Sequence, residues 1–254
     1  MTILYIFILF ITWLLSALFA IAGVGAANTL IPVYYSLGIP FSIAAAAGLL
    51  LNVFSLSSST ANNGRKKRIN WKLGTMFLIP AVIMAPVGAY IGIHTPKHIL
   101  LWIFVAFLAY TLYNLIKMKK AVNEESKFKG VKGLYLGISV GALAGFLGGL
   151  LGVGGGMIIL PVLTFIETDF KKISGTAGYI ALFSSASGFL SYLSLLHGVN
   201  YLLWIIVLVG GILGGFTGSF LMNKFKSSTV KGIIIVIITF VMIKVVLTLI
   251  GLKF

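Results

Sequence analysis

The sequence predicts an all-α polytopic membrane protein. Long apolar runs recur from end to end, charges are few, and glycine-rich breaks stand at matching places in two halves. The chain has 254 residues, 59% hydrophobic and 9% charged, with a mean hydropathy of +1.12. A soluble domain carries about 25% charged residues. A helix of about 20 apolar residues crosses the roughly 30 Å of bilayer hydrocarbon. The lipid bilayer is therefore the first partner the sequence implies.

Residues 3–22 make the first span, read as retained because no basic segment precedes it and it exceeds a signal-peptide core of about 7–15 residues. A short glycine-bounded segment, 25–38, leads through Pro40 to a span over 41–62. Arg65-Lys66-Lys67-Arg68 marks a loop, and spans over 73–93 and 98–116 follow. Residues 117–132 are the longest polar stretch, with Glu124 and Glu125 among six lysines. The second half repeats this order: a span over 133–150, a glycine-rich segment reaching 166, and spans over 173–196, 201–222 and 232–251. The organisation is thus a first membrane repeat (1–117), a basic linker (118–132) and a second membrane repeat (133–254). Each repeat holds four long helices and one short broken or re-entrant helix.

The halves align at a nearly constant offset. Gly23 and Gly152, Gly25 and Gly154, and Pro32 and Pro161 are 129 apart. Ala47 and Ala177, Gly48 and Gly178, Asn70 and Asn200, and Gly88 and Gly218 are 130 apart. If the glycine segments do not cross the membrane, eight spans form parallel repeats, and the loop lysines and arginines divide 12 against 6. If they cross, the repeats are inverted, and, leaving out Lys244 inside the last span, 16 basic residues face one side against only Lys97 and Lys253. Cytoplasmic loops carry the positive excess. Inverted repeats are therefore preferred, with both termini outside and loops 65–72, 117–132, 171–172 and 223–231 cytoplasmic. The same clustering explains the net charge of +15 without nucleic acid as a partner.

Gly152-Val153-Gly154-Gly155-Gly156, closed by Pro161, is the most conspicuous segment, and Gly23-Val24-Gly25-Ala26-Ala27-Asn28, closed by Pro32, is its worn copy. Paired interruptions of this kind point to a transport site in duplicated membrane proteins. Gly23, Gly152, Pro32 and Pro161 are read as structural breaks. Gly25, Gly154, Gly155 and Gly156 are read as exposing main-chain N–H groups at the starts of two half-helices. A helix N-terminus carries about +0.5 of a charge and unpaired donors, which suits an anion. The competing reading is that small residues only permit close helix packing, and it is the expected role of Gly141, Gly145, Gly148, Gly149, Gly210, Gly211, Gly214, Gly215 and Gly218.

The span after each break is polar: Asn52, Ser55, Ser57, Ser58, Ser59 and Thr60 in the first half, and Ser174, Thr176, Ser184, Ser185, Ser187, Ser191 and Ser194 in the second. Such groups line a polar path without a membrane-buried charge, although back-bonding to helix carbonyls satisfies many serines. Asn28, Asn52, Ser55, Ser184 and Ser187 are the candidate substrate-binding side chains. The four acids, Glu124, Glu125, Glu167 and Asp169, all fall in loops. A carboxylate proton relay inside the membrane is excluded, as is an aspartyl protease. The absence of cysteine removes thiol chemistry. His94 and His98 flank Pro96 and make a poor metal pair, so no metal, cofactor or catalytic residue is expected.

Two halves of four to five helices, each opening on a Gly-x-Gly-Gly-Gly-x-x-x-x-Pro-like segment, resemble the TauE/SafE (sulfite exporter) family over nearly the whole chain. The second copy matches well; the first has Ala26 and Ala27 in place of glycines, and Asn28 is a polar addition. The resemblance implies movement of sulfite, sulfonates or related organosulfur anions across the plasma membrane, without enzymatic activity. The expected function is a carrier for a small anionic substrate, working by alternating access at a midplane site. The rival is a non-transporting assembly or scaffold protein whose glycines serve packing. The sequence leaves the oligomeric state open. Cysteines introduced at Lys66 and Lys226 test the topology: both label from one side if the repeats are inverted, and from opposite sides if eight spans form parallel repeats.

Overall fold

The computed structural model describes residues 2–22, 25–117, 131–163, 166–167, 169–196, 201–221 and 227–250. Among them the elements are α1 (Thr2–Ala22), α2 (Ala27–Ser36), α3 (Phe41–Arg65), α4 (Trp71–His94), α5 (Lys97–Lys117), α6 (Val131–Leu151), α7 (Gly156–Leu163), α8 (Phe170–Leu195), α9 (Tyr201–Leu221) and α10 (Ser227–Leu249). No strand occurs among the described residues. Four of the helices qualify as spans by length and apolarity: Phe41–Arg65, Trp71–His94, and the stretches Leu134–Leu151 and Tyr201–Gly218 of α6 and α9. The second helix of each half is short. At 10 and 8 residues, α2 and α7 reach only about 15 and 12 Å, half a bilayer or less.

Local chemistry sets several boundaries. Pro40, extended at φ −53° and ψ 141°, precedes α3. Asn70 Oδ1 accepts from the Leu73 N–H at 3.2 Å and caps α4, and Asp169 Oδ1 accepts from the Lys171 N–H at 2.9 Å and caps α8. At the end of α6 the Val153 N–H turns back to the Gly148 carbonyl at 3.0 Å. That turn needs Gly152 in the left-handed region, at φ +75°.

Glycine brings the long helices together backbone to backbone. Along α6, Gly141 meets Phe77 and Pro80, Gly145 meets Ala81, and Gly149 meets Ala85 of α4. The order rises on both helices, so α4 and α6 run parallel. Along α9, Gly210 meets Thr12 and Gly214 meets Ser16 of α1, while Gly211 meets Leu51 and Gly215 meets Ser55 of α3. These pairs are parallel too. By contrast, Gly175 lies against Asn63, Ser185 against Asn52 and Gly188 against Leu49. Helices α3 and α8, at corresponding places in the two halves, therefore run antiparallel. The fourth helix of each half is held by the first and third helices of the other, so the halves interlock around one buried core.

The turn between α3 and α4 packs on the start of α8. The Asn70 N–H donates to Thr176 Oγ1 at 3.0 Å, and the Trp71 and Tyr179 rings meet edge to face at 4.9 Å. Phe220, near the end of α9, shares a cleft with Arg65 and Lys66. The ends of α3 and α9 and the starts of α4 and α8 thus lie on one face.

Two expected breaks are corrected. Pro32 and Pro161 do not interrupt the chain; each is the sixth residue of a short helix. Neither carries an N–H, so each frees the carbonyl four residues earlier, Asn28 and Met157, while the helix continues. Gly23 lies outside the described residues. Gly145→Leu drives a side chain into the α4 backbone at Ala81. Overpacking of this kind costs about 1–3 kcal/mol, which thermal unfolding of the detergent-solubilised protein will read as a lowered midpoint.

Candidate functional site

The two glycine turns meet at one side chain. Asn52 sits near the middle of α3 and is fully buried. Gly25 (φ +73°) and Gly154 (φ +68°) press against it from either side. A Cβ built on Gly25 would run first into Asn52 Oδ1, and one built on Gly154 would run into Ser185 Oγ and lie 2.9 Å from Asn52 Nδ2. Both glycines are needed twice over, for the left-handed backbone and for the space. Asn52 Nδ2 donates to the Val153 carbonyl at 2.9 Å and more weakly to Ser185 Oγ at 3.4 Å. A carbonyl accepts only from the NH2 end, which fixes the orientation of the amide. Its Oδ1, equally buried, has no partner.

The half-helices begin beside this amide. The first intrahelical donors are Thr29 and Leu30 in α2 and Ile158 and Ile159 in α7. The N–H groups of Ala27, Asn28, Gly156 and Met157 stand ahead of both ladders, as the first N–H groups of any helix do. Gly154 and Gly155 are more engaged than a bare anion cradle requires. The Gly154 N–H reaches the Gly148 carbonyl at 3.3 Å, and the Gly155 N–H reaches Ser184 Oγ at 3.4 Å. The donors left over belong to the first turn of each helix rather than to the glycine turn itself.

Several buried polar atoms nearby lack partners: both side-chain atoms of Asn28, Thr29 Oγ1 and Ser55 Oγ. Asn28 and Thr29 are on the first turn of α2, and Ser55 is one turn past Asn52 on α3. An unsatisfied buried polar group costs about 1–3 kcal/mol, so each of these atoms is open to a polar partner, water included. Asn28, Asn52, Ser55, Ser184 and Ser185 are all neutral. The positive potential of the site comes from helix ends alone.

The structure thus brings Gly25, Asn52 and Gly154 into contact, sets Gly155 against Ser184, and places Asn28 and Gly156 on the adjoining helix starts. Ser187 does not belong. Its hydroxyl donates to the Val82 carbonyl at 2.7 Å. That carbonyl lost its helical donor to Pro86, four residues on, and the serine replaces the bond. The residue missing from the expected set is Ser185, which contacts Asn52 directly. The signal was available: Ser185 is Ser55 carried forward by the repeat offset of 130.

Gly25→Ala and Gly154→Ala each force a left-handed residue against Asn52, at about 1–2 kcal/mol for the backbone alone. Because both act on one amide, the double variant should be less destabilised than the sum by about 0.5–3 kcal/mol. Strict additivity in a double-mutant cycle on thermal unfolding would show that the turns do not share Asn52.

The family model described as Sulfite exporter TauE/SafE matches residues 8–245. The chain is 26% identical over 204 residues to the probable membrane transporter protein YunE of Bacillus subtilis, covering 74% of each chain. It is 31% identical over 192 residues to a probable membrane transporter protein of Methanocaldococcus jannaschii, covering 73% of this chain and 70% of the relative. A shorter match of 53 residues, 45% identical, links it to Sulfite exporter TauE/SafE family protein 1 of Arabidopsis thaliana and covers 21% of this chain and 12% of that one. No solved structure matches. The protein with paired glycine turns around Asn52 belongs to the TauE/SafE family, whose members are membrane transporters and not enzymes.

Proposed function

We propose that this transporter carries a small monovalent anion, a sulfur oxyanion or an organosulfonate, through a site between the N-termini of α2 and α7. The observation that carries the reading is the convergence of both glycine turns on Asn52, beside buried polar atoms without partners. Two helix N-termini contribute about +0.5 charge each. Their sum offsets one negative charge and leaves a dianion under-compensated in a medium of low dielectric. The acidic group is held by the first-turn amides and by Asn28 and Ser55, with the other side chains around Asn52 setting its position.

Inverted repeats of residues 1–117 and 133–254 are the mechanical part of this reading. The antiparallel course of α3 and α8 supports it, as does the shared face of the loops after α3 and before α8. That face, with the 118–132 linker and the 223–231 loop, is the cytoplasmic side of the plasma membrane by the positive-inside rule. Asn28, Asn52 and Ser55 are fully buried, so this conformation is the closed member of an alternating-access cycle. Rocking of one repeat against the other opens the site to each face in turn.

Proteoliposome flux tests the function. Methanesulfonate or hydrogensulfite should enter at least tenfold faster than sulfate. Absence of flux for every anion, with folded protein verified, removes the carrier reading in favour of a scaffold. Gly155→Leu fills the space against Ala144 and should abolish flux while helical content by circular dichroism stays unchanged; full activity in that variant would place the anion elsewhere.

A further inference from the structure

A second polar surface lies away from the central site, on the face where α3 and α9 end. A cleft of about 320 Å³ opens there. One wall is Ser58, Asn62, Arg65 and Lys66 of α3 and the residue that follows it; the other is Phe216 and Phe220 of α9. Arg65 and Lys66 are exposed, and neither forms an ion pair with a described residue. The C-terminus of α3 contributes about −0.5 charge, and the two full positive charges outweigh it. The cleft is therefore cationic on one wall and aromatic on the other.

We infer that this cleft is an anion-binding site on the basic face, where an oxyanion with a short apolar body waits before entering the centre. The inference rests on the transport reading and adds where the substrate first binds and what shape it has. Asn52, Ser55, Ser58 or Ser59, and Asn62 recur at helical spacing and share one side of α3. The cleft and the central amide lie on that one stripe, ten residues apart, about 15 Å. Between them the seam with α9 is closed where Gly215 touches Ser55 and Ser58. The described residues at the corresponding place in the other half have a different chemistry. The repeat offset carries Asn62 to Tyr192, which is fully buried with its hydroxyl 3.4 Å from the Leu150 carbonyl, and Arg65 to Leu195. Two phenylalanines facing two cations select an organosulfonate over a bare oxyanion, which has nothing to place on the rings.

A phospholipid phosphate has the same head-and-tail chemistry, and the test separates the two. The chain has no cysteine, so Ala61→Cys, an exposed position lining the cleft, gives a single labelling site. In phosphatidylcholine nanodiscs an anionic thiosulfonate reagent should modify it at least about threefold faster than a cationic one, as a cationic cleft concentrates anions. Hexanesulfonate should slow the reaction, and more effectively than methanesulfonate. Arg65→Gln with Lys66→Gln should remove both effects. Equal rates for the two reagents, or no protection by either sulfonate, would overturn the site. Protection by phosphatidylglycerol in the disc but not by hexanesulfonate would reassign it to a lipid head group. Labelling needs no flux, so the readings fail separately. Flux without protection removes the cleft site alone; protection without flux removes the carrier and leaves an anion site with no path inward.

Discussion

The arrangement depends on one amide held between two turns. The Asn52 amide meets Gly25 at its Oδ1 end and Gly154 at its Nδ2 end, and Nδ2 ties Val153 to α3 at 2.9 Å. The geometry works only because neither turn carries a side chain at that point and both backbones are left-handed there. A longer residue than asparagine would push the turns apart, and a shorter one would leave the Val153 carbonyl without a donor. With the amide in place, the two half-helices must start beside each other near mid-helix on α3. Irregular backbone at membrane depth is tolerated only where it is packed in protein or lines a polar cavity, and Asn52 supplies the packing.

The halves share a plan but not a sequence at this centre. The repeat offset carries Asn52 to Leu182, Asn28 to Met157, and the pair Ala26 and Ala27 to Gly155 and Gly156. The second half therefore gives the bare turn and the first half gives the amides. A single asparagine serves both turns, and the half without one at this place carries the fuller glycine turn. The asymmetry is thus what a shared centre requires.

Much of this was legible in the sequence because it rests on local or periodic chemistry. Helices, glycine turns and their pairing follow from apolar length, φ-tolerant residues and a constant offset. Ser187 was misread and Ser185 overlooked for one reason. Both are serines on a polar helix, and which of them faces the centre depends on how α8 is rotated against α3 and α4. At the observed rotation Ser187 meets the Val82 carbonyl, which lost its helical donor to Pro86, on another helix and 101 residues away. The prolines in the motifs misled in a similar way. A proline in a sequence reads as a stop, yet Pro32 and Pro161 ride inside helices short enough to lose one bond and continue. The central place of Asn52 was hidden as well, since it needs two turns 129 residues apart to close on one point.

A site without charged side chains bears on how a membrane protein handles an anion. A buried lysine or arginine would bind more tightly, but an unpaired charge at membrane depth costs several kcal/mol whenever the site is empty. Helix ends avoid that cost because their partial charges exist with or without a ligand and are balanced by the far end of the same helix. They also cannot be titrated, so the field at the centre stays fixed across physiological pH. Binding by two half-charges is weaker than binding by a full one, and a carrier must release what it binds. Full charges stand instead at the basic face, in Arg65 and Lys66 among others, where water solvates them and where they act on the rate of encounter. Attraction at the rim and moderate binding at the centre are opposite demands, and cations at the rim with helix ends at the glycine turns meet both.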